Sequence, residues 1–282
     1  MIYQLAILLT SHNRKQKTLT CLKNIFEQED IPDIHFTIYL VDDNSTDGTF
    51  EAIRSTYPMI TIIKGDGQLF WAGGMRVAWN EALKEKKYDY YLLLNDDTFL
   101  NKEALKLLFA DIKLVTDNAI LIGSVKDPTT QEISYGGRRL KNKYNTSSIL
   151  LRPNNQSPQL CDLGNANIML VPARVIQQIG ILSNSYTHAI ADYEYTLKAK
   201  KAGIPSYISS FYNGLCTHDH DSFWTKHAST PLKQRIKYLY SVKGLAYKQY
   251  LQFIKTHFPL YLPQAWLFLW LKTIFPFLFK NS

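Results

Sequence analysis

The chain has 282 residues, of which 46% are hydrophobic, and this is enough for one large α/β domain or a domain with an appendage. Its three cysteines, Cys21, Cys161 and Cys216, lack CxxC spacing, which argues against a disulfide framework or a zinc site and fits a reducing compartment. The formal net charge of +8 predicts an anionic partner. The basic residues are not interleaved with aromatics as in single-strand binders, so we expect no nucleic acid and favour a membrane surface.

Apolar runs and helical spacing alternate through about the first 120 residues. The N-terminal apolar run has no basic residues before it, and we interpret it as a first strand rather than a signal peptide. The predicted strands are 3–10, 35–42, 60–64 and 89–95. The predicted helices are 15–28, 74–86 and 102–115. A further helix is predicted to begin at a cap, Thr46 or Asp47, and to run through Tyr57. This alternation is typical of a parallel sheet covered by helices.

The pattern changes in the second half of the chain. Residues 126–160 are polar and contain Gly136-Gly137, which predicts a hairpin and loop. Strands are predicted at 119–125 and 165–172 and just before residue 216. Helices are predicted at 173–180, at 190–202 and, as one long basic and aromatic helix, at 230–255.

The segment 258–279 is the most apolar part of the sequence, with one charge, Lys272, in 22 residues. Three prolines interrupt it, whereas a membrane span needs about 20 continuous apolar residues. Its Trp266 and Trp270 favour the depth of lipid headgroups, and the basic helix before it would attract anionic lipid. We expect a helical tail that lies in the membrane interface. A packing helix of a dimer or of the core, and a true span, are the alternatives.

Two predicted strands end abruptly on adjacent carboxylates, Asp42-Asp43 and Asp96-Asp97. Burying an unpaired carboxylate is costly, so acidic pairs at the ligand-binding edge of a sheet suggest a cation or hydrogen-bond donor there. Mg²⁺ and Mn²⁺ take such oxygens together with phosphates. Asp43 could accept a hydrogen bond from a pyrimidine N–H. Helix capping is the simpler alternative for Asp97 or Thr98.

Four segments in this order resemble inverting glycosyltransferases of family 2, which have the GT-A fold and use nucleotide-diphospho-sugars. They are LLTSHNR (8–14), VDDNSTDGT (41–49), GQLFWAGGMRVAWNEAL (67–83) and LLLNDDT (92–98). The FWAGGMR stretch most resembles the rhamnosyltransferase-like branch that builds bacterial surface polysaccharides. The resemblance runs from about residue 4 to 220 and implies a Rossmann-like, mostly parallel sheet flanked by helices.

The resemblance also implies which residues bind the donor. These are Thr10, Ser11, Arg14, Asp43, Trp71, Gly73, Gly74, Asn95 and Asp96. Asp43 would meet the base, Trp71 would wall the sugar pocket or serve as a core aromatic, and Asp96 would reach ribose or sugar. The glycines would let the backbone approach the nucleotide closely, or would simply form a turn and helix start.

The segment 95–97 occupies the family's DXD position, with Asn in place of the first Asp. By resemblance Asp97 is therefore the expected ligand of Mg²⁺ or Mn²⁺. The family places a metal-binding histidine after the last strand, which matches His218 first and His220 second. A surface or core histidine is the alternative.

The segment IADYEYTLKAKKAG (190–203) resembles the family helix that begins with the catalytic base. Asp192 matches best and Glu194 is the secondary candidate. An inverting transfer needs such a carboxylate to accept the proton of the acceptor hydroxyl. A helix cap at Asp192 is the alternative.

The expected enzyme moves a sugar, with rhamnose favoured, from a UDP- or dTDP-sugar to a glycan or lipid-linked acceptor. The predicted domains are a catalytic domain, 1–225, with a nucleotide-binding half (1–100) and an acceptor half (101–225), and a basic helix with apolar tail, 226–282. We expect a cytoplasmic protein, peripheral on the inner face of the cell membrane, and leave a homodimer open. The alternatives are a nucleotidyltransferase-like enzyme and a non-catalytic protein that binds membranes or anions. A nucleotidyltransferase should have an early Gly-rich phosphate loop, and residues 8–20 of this chain contain no glycine.

Overall fold

The structure is a computed structural model that describes residues 2–29, 31, 33–188, 190–218 and 230–279. A central sheet begins with four parallel strands in the order β3-β2-β1-β4. They are β1 (Tyr3–Ser11), β2 (Ile34–Asp42), β3 (Thr61–Lys64) and β4 (Tyr90–Leu94). The predicted strands of the first half are confirmed, and the carboxyl ends of these four strands meet at one edge of the sheet.

Among the described residues, nine further strands follow. They are β5 (Phe99–Leu100), β6 (Ile120–Lys126), β7 (Ile133–Tyr135), β8 (Gly137–Leu140), β9 (Ser148–Leu150), β10 (Gln159–Cys161), β11 (Leu163–Gly164), β12 (Ile168–Pro172) and β13 (Ser206–Leu215). The sheet continues from β4 through β12, β6 and β13 to β10, while β11, β8 and β9 form a small separate sheet.

The prediction of a mostly parallel sheet is wrong for this second half. Strand β12 runs antiparallel to both β4 and β6, and β10 runs antiparallel to β13. The chain returns from β6 to β12 through the short strands of 126–160 and not through a crossover helix, and hairpin connections join antiparallel strands. The fold is therefore mixed α/β.

Helices cover both faces of the sheet. They are α1 (Lys15–Phe26), α2 (Thr49–Thr56), α3 (Phe70–Glu85), α4 (Ala104–Leu114), α5 (Ala173–Ile179) and α6 (Ala191–Lys201). Alternate side chains of β1 lie in two hydrophobic cores, with Leu5 and Ile7 in one and Ala6 and Leu8 in the other. The three cysteines are buried thiols, as predicted.

Helix α3 begins at Phe70, four residues earlier than predicted, so the two glycines lie inside its first turns. Gly74 lies against β1, where an added Cβ would overlap the Thr10 side chain. The close backbone approach that Gly74 permits is therefore the approach of helix α3 to strand β1.

The predicted long helix at 230–255 is two helices, α7 (Leu232–Tyr240) and α8 (Tyr247–His257), with α9 (Leu262–Ile274) after them. The break at 241–246 contains Ala246 at φ 45°, a left-handed conformation that cannot continue a helix. At Gly244 the chain passes so close to the Tyr238 carbonyl that a Cβ would collide with it.

In the C-terminal segment, helix α8 packs on the rest of the molecule through apolar side chains. Phe253 and Ile254 of α8 share a hydrophobic core with Ala191 and Leu197 of α6. Other apolar side chains of the segment face solvent, for example Leu278, which is 64% exposed. None of the helices within the described residues is both long enough and apolar enough to cross a membrane.

Candidate active site

The carboxyl ends of β1, β2 and β4 open onto a cleft of about 600 Å³. Most of the residues that the sequence assigns to the site line this cleft: Thr10, Ser11, Arg14, Asp43, Trp71, Asn95, Asp96, Asp97 and Asp192. They come from strand ends and helix starts far apart in the chain. The fold therefore brings the acidic residues of both halves into one cavity.

Asp43 is buried and holds the loop that leads into α3. Its Oδ1 accepts a hydrogen bond from the Gly67 backbone N–H at 2.8 Å, and its Oδ2 accepts one from Phe70 N–H at 3.0 Å. Phe70 has a left-handed backbone, with φ 53°, which is strained for a bulky residue. The Asp43 carboxylate thus stabilises the strained start of α3 while it also lines the cleft.

Asp96 and Asp97 share one cation, the half-exposed Arg14 at the start of α1. The Arg14 Nη1 lies 2.6 Å from Asp97 Oδ2 and 3.1 Å from Asp96 Oδ1. Burial raises the pKa of Asp96, and the charge of Arg14 opposes that rise. The Thr18 hydroxyl donates to the second Asp96 oxygen at 3.2 Å. Asp96 is therefore fixed by protein groups, whereas Asp97 lies at the cleft surface.

Asn95 and Trp71 fix one another at the wall of the cleft. The Trp71 indole Nε1–H donates to the Asn95 side-chain oxygen at 2.7 Å. The Asn95 backbone N–H donates to the Asn167 carbonyl at 3.1 Å. The side-chain oxygen of Asn95 is thus already hydrogen-bonded to Trp71. The carboxylates of Asp96 and Asp97 remain as the acidic groups of this segment.

The site fits a divalent cation that is shared with a bound phosphate and does not fit a cage made of protein ligands. Mg²⁺ commonly binds through one or two carboxylates plus substrate phosphates and water. Asp96 and Asp97 supply such a pair. Within the described part of the chain, no three His, Cys, Asp or Glu side chains are grouped so as to hold a metal ion.

Asp192 lies in the first turn of α6 and is half-buried in the cleft. Its Oδ2 accepts hydrogen bonds from the Ala166 N–H at 3.2 Å and the Asn165 side chain at 3.4 Å, and its Oδ1 accepts one from Tyr193 N–H at 2.8 Å. Burial raises the pKa of Asp192, and these donors oppose the rise. A carboxylate with a raised pKa in a cleft is suited to accept a proton.

The other predicted residues lie elsewhere. Glu194 faces the C-terminal helices, with its Oε1 3.6 Å from Nε2 of the buried His257. His218 is exposed, and its ring packs on Tyr135 with centroids 5.8 Å apart. His220 lies outside the described residues. Gly73 and Gly74 are buried within α3.

The cleft also contains residues that sequence reasoning missed, namely His12, Gly67, Phe70, Tyr135, Asn165, Ala166, Asn167, His188, Ile190, Tyr193, Cys216 and Lys243. The polar segment Asn165–Asn167 carried a signal, since it stands directly before a buried apolar strand as the two acidic pairs stand after theirs. His12 follows the first strand, and its Nδ1 lies 2.7 Å from the Asp43 carbonyl oxygen. Lys243 carried no signal, because it reaches the cleft through the packing of the C-terminal helices.

Comparison with known proteins adds a family and a fold. The model of the Glycosyl transferase family 2 matches residues 6–166. The poly(ribitol-phosphate) beta-N-acetylglucosaminyltransferase TarS of Staphylococcus aureus is 30% identical over 101 residues, which are 36% of this chain and 17% of TarS. The matched stretch is thus under a fifth of that relative's length.

Solved structures also resemble most of the chain, and two of them hold nucleotide-sugars. The mannosyltransferase PcManGT from Pyrobaculum calidifontis, in complex with GDP-Man and Mn²⁺, has a TM-score of 0.54 at 16% identity, over 86% of this chain and 65% of its own. S. aureus TarS 1–349 in complex with UDP-GlcNAc has a TM-score of 0.53 at 15% identity, over 91% of this chain and 73% of its own. At such identities the likeness shows a shared GT-A-like fold.

Proposed function

The chain belongs to glycosyl transferase family 2, and from this premise we propose that it transfers a sugar from a nucleotide-diphosphate donor to a hydroxyl group, with inversion. The observation that carries the proposal is the single cleft shared by Asp43, Asp97 and Asp192. These carboxylates stand in three distant segments, and a transferase needs donor-binding and proton-accepting groups within reach of one sugar.

Asp192 is proposed as the general base. As the acceptor oxygen attacks the anomeric carbon, its proton passes to the Asp192 carboxylate, and the bond from that carbon to the diphosphate oxygen breaks. The nucleoside diphosphate leaves with the electron pair. Hydrogen bonds from Ala166 and Tyr193 hold the carboxylate in place, and burial raises its pKa toward the working range of a base.

Asp97, with Asp96 beside it, is proposed to hold Mg²⁺ or Mn²⁺. When bound, such an ion supplies positive charge to the diphosphate leaving group. Arg14 now neutralises the same carboxylates and is 44% exposed. The carboxylates of Asp96 and Asp97 are only 5% and 12% exposed, so moving Arg14 away would cost several kcal/mol unless the bound ion replaced its charge. His218 is kept as a proposed further ligand, since its partner Tyr135 lines the cleft.

The donor is proposed to carry a pyrimidine nucleotide, UDP or dTDP, with Asp43 near the base and Trp71 at the sugar. Rhamnose is favoured because FWAGGMR resembles the rhamnosyltransferase-like branch. Support for nucleotide-sugar donors in general comes from the structural neighbours, which are complexes with UDP-GlcNAc and GDP-Man. The proposed acceptor is a glycan or a lipid-linked glycan in the synthesis of bacterial surface polysaccharide.

The C-terminal segment is proposed to place the enzyme on an anionic membrane, on the cytoplasmic side. Residues 226–282 contain nine of the 32 basic residues and none of the 24 acidic residues, so the whole positive excess of the chain lies there. A groove of about 740 Å³ between α8 and α9 has apolar walls, including Leu251 and Trp266, with Lys248 and Lys255 among its lining residues. Apolar side chains flanked by lysines suit anionic lipid.

The catalytic proposal is tested with the Asp192→Asn variant. An amide cannot accept the proton, so turnover should fall by about 10²–10⁴-fold while donor binding persists. A panel of UDP-, dTDP- and GDP-sugars is screened for nucleotide release in Mg²⁺ or Mn²⁺, and melting temperature is followed with and without EDTA. Asp117→Asn, a surface carboxylate that pairs with Arg174, is the matched control. Full turnover by Asp192→Asn would move the base elsewhere.

The membrane proposal is tested by sedimentation with vesicles of phosphatidylcholine alone or with phosphatidylglycerol. Leu260→Ser and Leu278→Ser remove side chains that are 81% and 64% exposed, so the fold should persist while binding to the anionic vesicles falls by about tenfold. Leu114→Ser, at the end of α4 and 68% exposed, is the control. If these variants instead change a dimer into a monomer in gel filtration, a second copy covers this face.

A further inference from the structure

Lys243 belongs to the C-terminal segment but lines the cleft together with Asp97 and Asp192. It stands in the turn 241–246 between α7 and α8, far in sequence from every other residue of the cleft. The turn is well defined: Ser241 accepts hydrogen bonds from Gly244 and Ala246, and Leu245 N–H donates to the Tyr238 carbonyl. The fold thus places one exposed lysine of the basic segment among the lining residues of the cleft.

The charge balance of the cleft gives this lysine a role. The described lining carries four carboxylates, Asp43, Asp96, Asp97 and Asp192, against two permanent cations, Arg14 and Lys243. Arg14 is held by two of the carboxylates. Among the described lining residues, Lys243 is thus the one permanent cation that forms no ion pair. A diphosphate entering this acidic cavity meets repulsion that Lys243 directly offsets.

We infer that Lys243 binds the diphosphate of the donor and stabilises it as the leaving group. The inference rests on the proposed transferase function. A lysine is a compact, mobile point charge that suits phosphate oxygens. Because Arg14 is already held by Asp96 and Asp97, Lys243 adds a second positive charge to the lining of the cleft. The C-terminal segment then completes the donor site as well as offering a membrane face.

Helix α8, which follows the turn, is attached to the segment that carries Asp192, the proposed general base. The Gln249 side-chain oxygen of α8 accepts hydrogen bonds from Thr187 N–H at 3.1 Å and from its hydroxyl at 3.2 Å. The Lys201 ammonium at the end of α6 donates to the Thr256 carbonyl at 2.6 Å. Both contacts join α8 to the segment around Asp192. Lys243 is therefore positioned by the same packing that positions the base.

The test is calorimetric titration of the full chain, in Mg²⁺, with UDP, dTDP and GDP and with the matching nucleosides. Lys243→Met should bind the preferred diphosphate about tenfold more weakly, since a charge-assisted hydrogen bond is lost, while binding of the nucleoside is unchanged. Lys243→Arg should recover most of the affinity. Lys233→Met, an exposed lysine at the start of α7, is the control and should bind as the wild type does.

The outcomes separate this inference from the proposed function. If wild type and Lys243→Met bind the diphosphate equally, the role of Lys243 is refuted and the transferase proposal stands. If Lys243→Met weakens nucleoside and diphosphate alike, the lysine supports the fold of the cleft and the inference is also overturned. If the wild type binds none of the three diphosphates, both proposals fail together.

Discussion

The Asp43→Asn variant tests what the acidic residue at the end of β2 does. Asparagine has the size of aspartate but presents an amino group where one carboxylate oxygen stood. In the native site both oxygens accept backbone N–H groups, from Gly67 at 2.8 Å and from Phe70 at 3.0 Å. In the variant one of these donors must face another donor, and the strained start of α3 at Phe70 loses its support.

The expected loss follows from these two bonds. A hydrogen bond to a charged group contributes about 1.5–3 kcal/mol, and a neutral one about 1 kcal/mol. Asparagine keeps one neutral bond in place of two charged ones at a buried position, so we expect a loss of about 2–5 kcal/mol in the free energy of unfolding. Urea denaturation followed by circular dichroism measures it.

The control lies in the same loop. Asp66 Oδ1 accepts a hydrogen bond from Gln68 N–H at an exposed site, and Asn can make the same bond. Asp66→Asn should therefore change stability by less than about 0.5 kcal/mol. Equal urea midpoints for Asp43→Asn and the wild type would refute the reasoning. If Asp43 also contacts the nucleobase of the donor, Asp43→Asn should change the ratio of UDP affinity to GDP affinity. If Asp43 only supports the loop, the variant should weaken the binding of both nucleotides equally.

Three further predictions concern the site and its supports. Burial raises the pKa of Asp192, so the turnover rate should fall as the pH drops through that raised value, and Asp192→Asn should lose this acid limb. A raised folded pKa favours the protonated form, so the stability that Asp192 contributes is present at low pH and lost as pH rises through the folded value; the melting temperature of Asp192→Asn relative to the wild type should therefore rise as pH rises through that value. Glu194→Gln should keep the acid limb of turnover, because Glu194 faces His257; loss of that limb would make Glu194 the base. Gly74→Ala should lower the free energy of unfolding by about 1–3 kcal/mol through overlap with Thr10, and Gly73→Ala by less, because its nearest contact is a side-chain atom of Leu69 at 3.2 Å; equal urea midpoints would refute this.

The first half of the fold could be predicted because its signals are local. Strands β1, β2 and β4 are apolar runs buried on both faces, and each ends at polar residues that the sheet edge requires. The antiparallel insertion of β12 was missed because the strands of 126–160 have three or four residues, too few for a period to show. The break at 241–246 was missed because it contains a single glycine, Gly244, and no proline.

In the candidate site, the residues at strand ends could be predicted from the sequence. Their hydrogen-bond and ion-pair partners could not. Asp96 and Asp97 were predicted from their positions after a strand and Asp192 from the resemblance to the family helix, and they do share the cleft. The engagement of Arg14 with two carboxylates depends on the distance between α1 and β4, which follows from packing. The orientation of Glu194 toward His257 depends in the same way on where α8 lies.

The C-terminal segment and the proposed base are linked through helix α6. The side of α6 that carries Ala191 and Leu197 packs on Phe253 and Ile254 of α8, and the buried Glu194–His257 pair lies in the same contact. Asp192, between them in sequence, faces the cleft. The predicted division at residue 225 therefore crosses a shared core. A displacement of α8 would therefore also move the helix that holds Asp192 and the turn that holds Lys243.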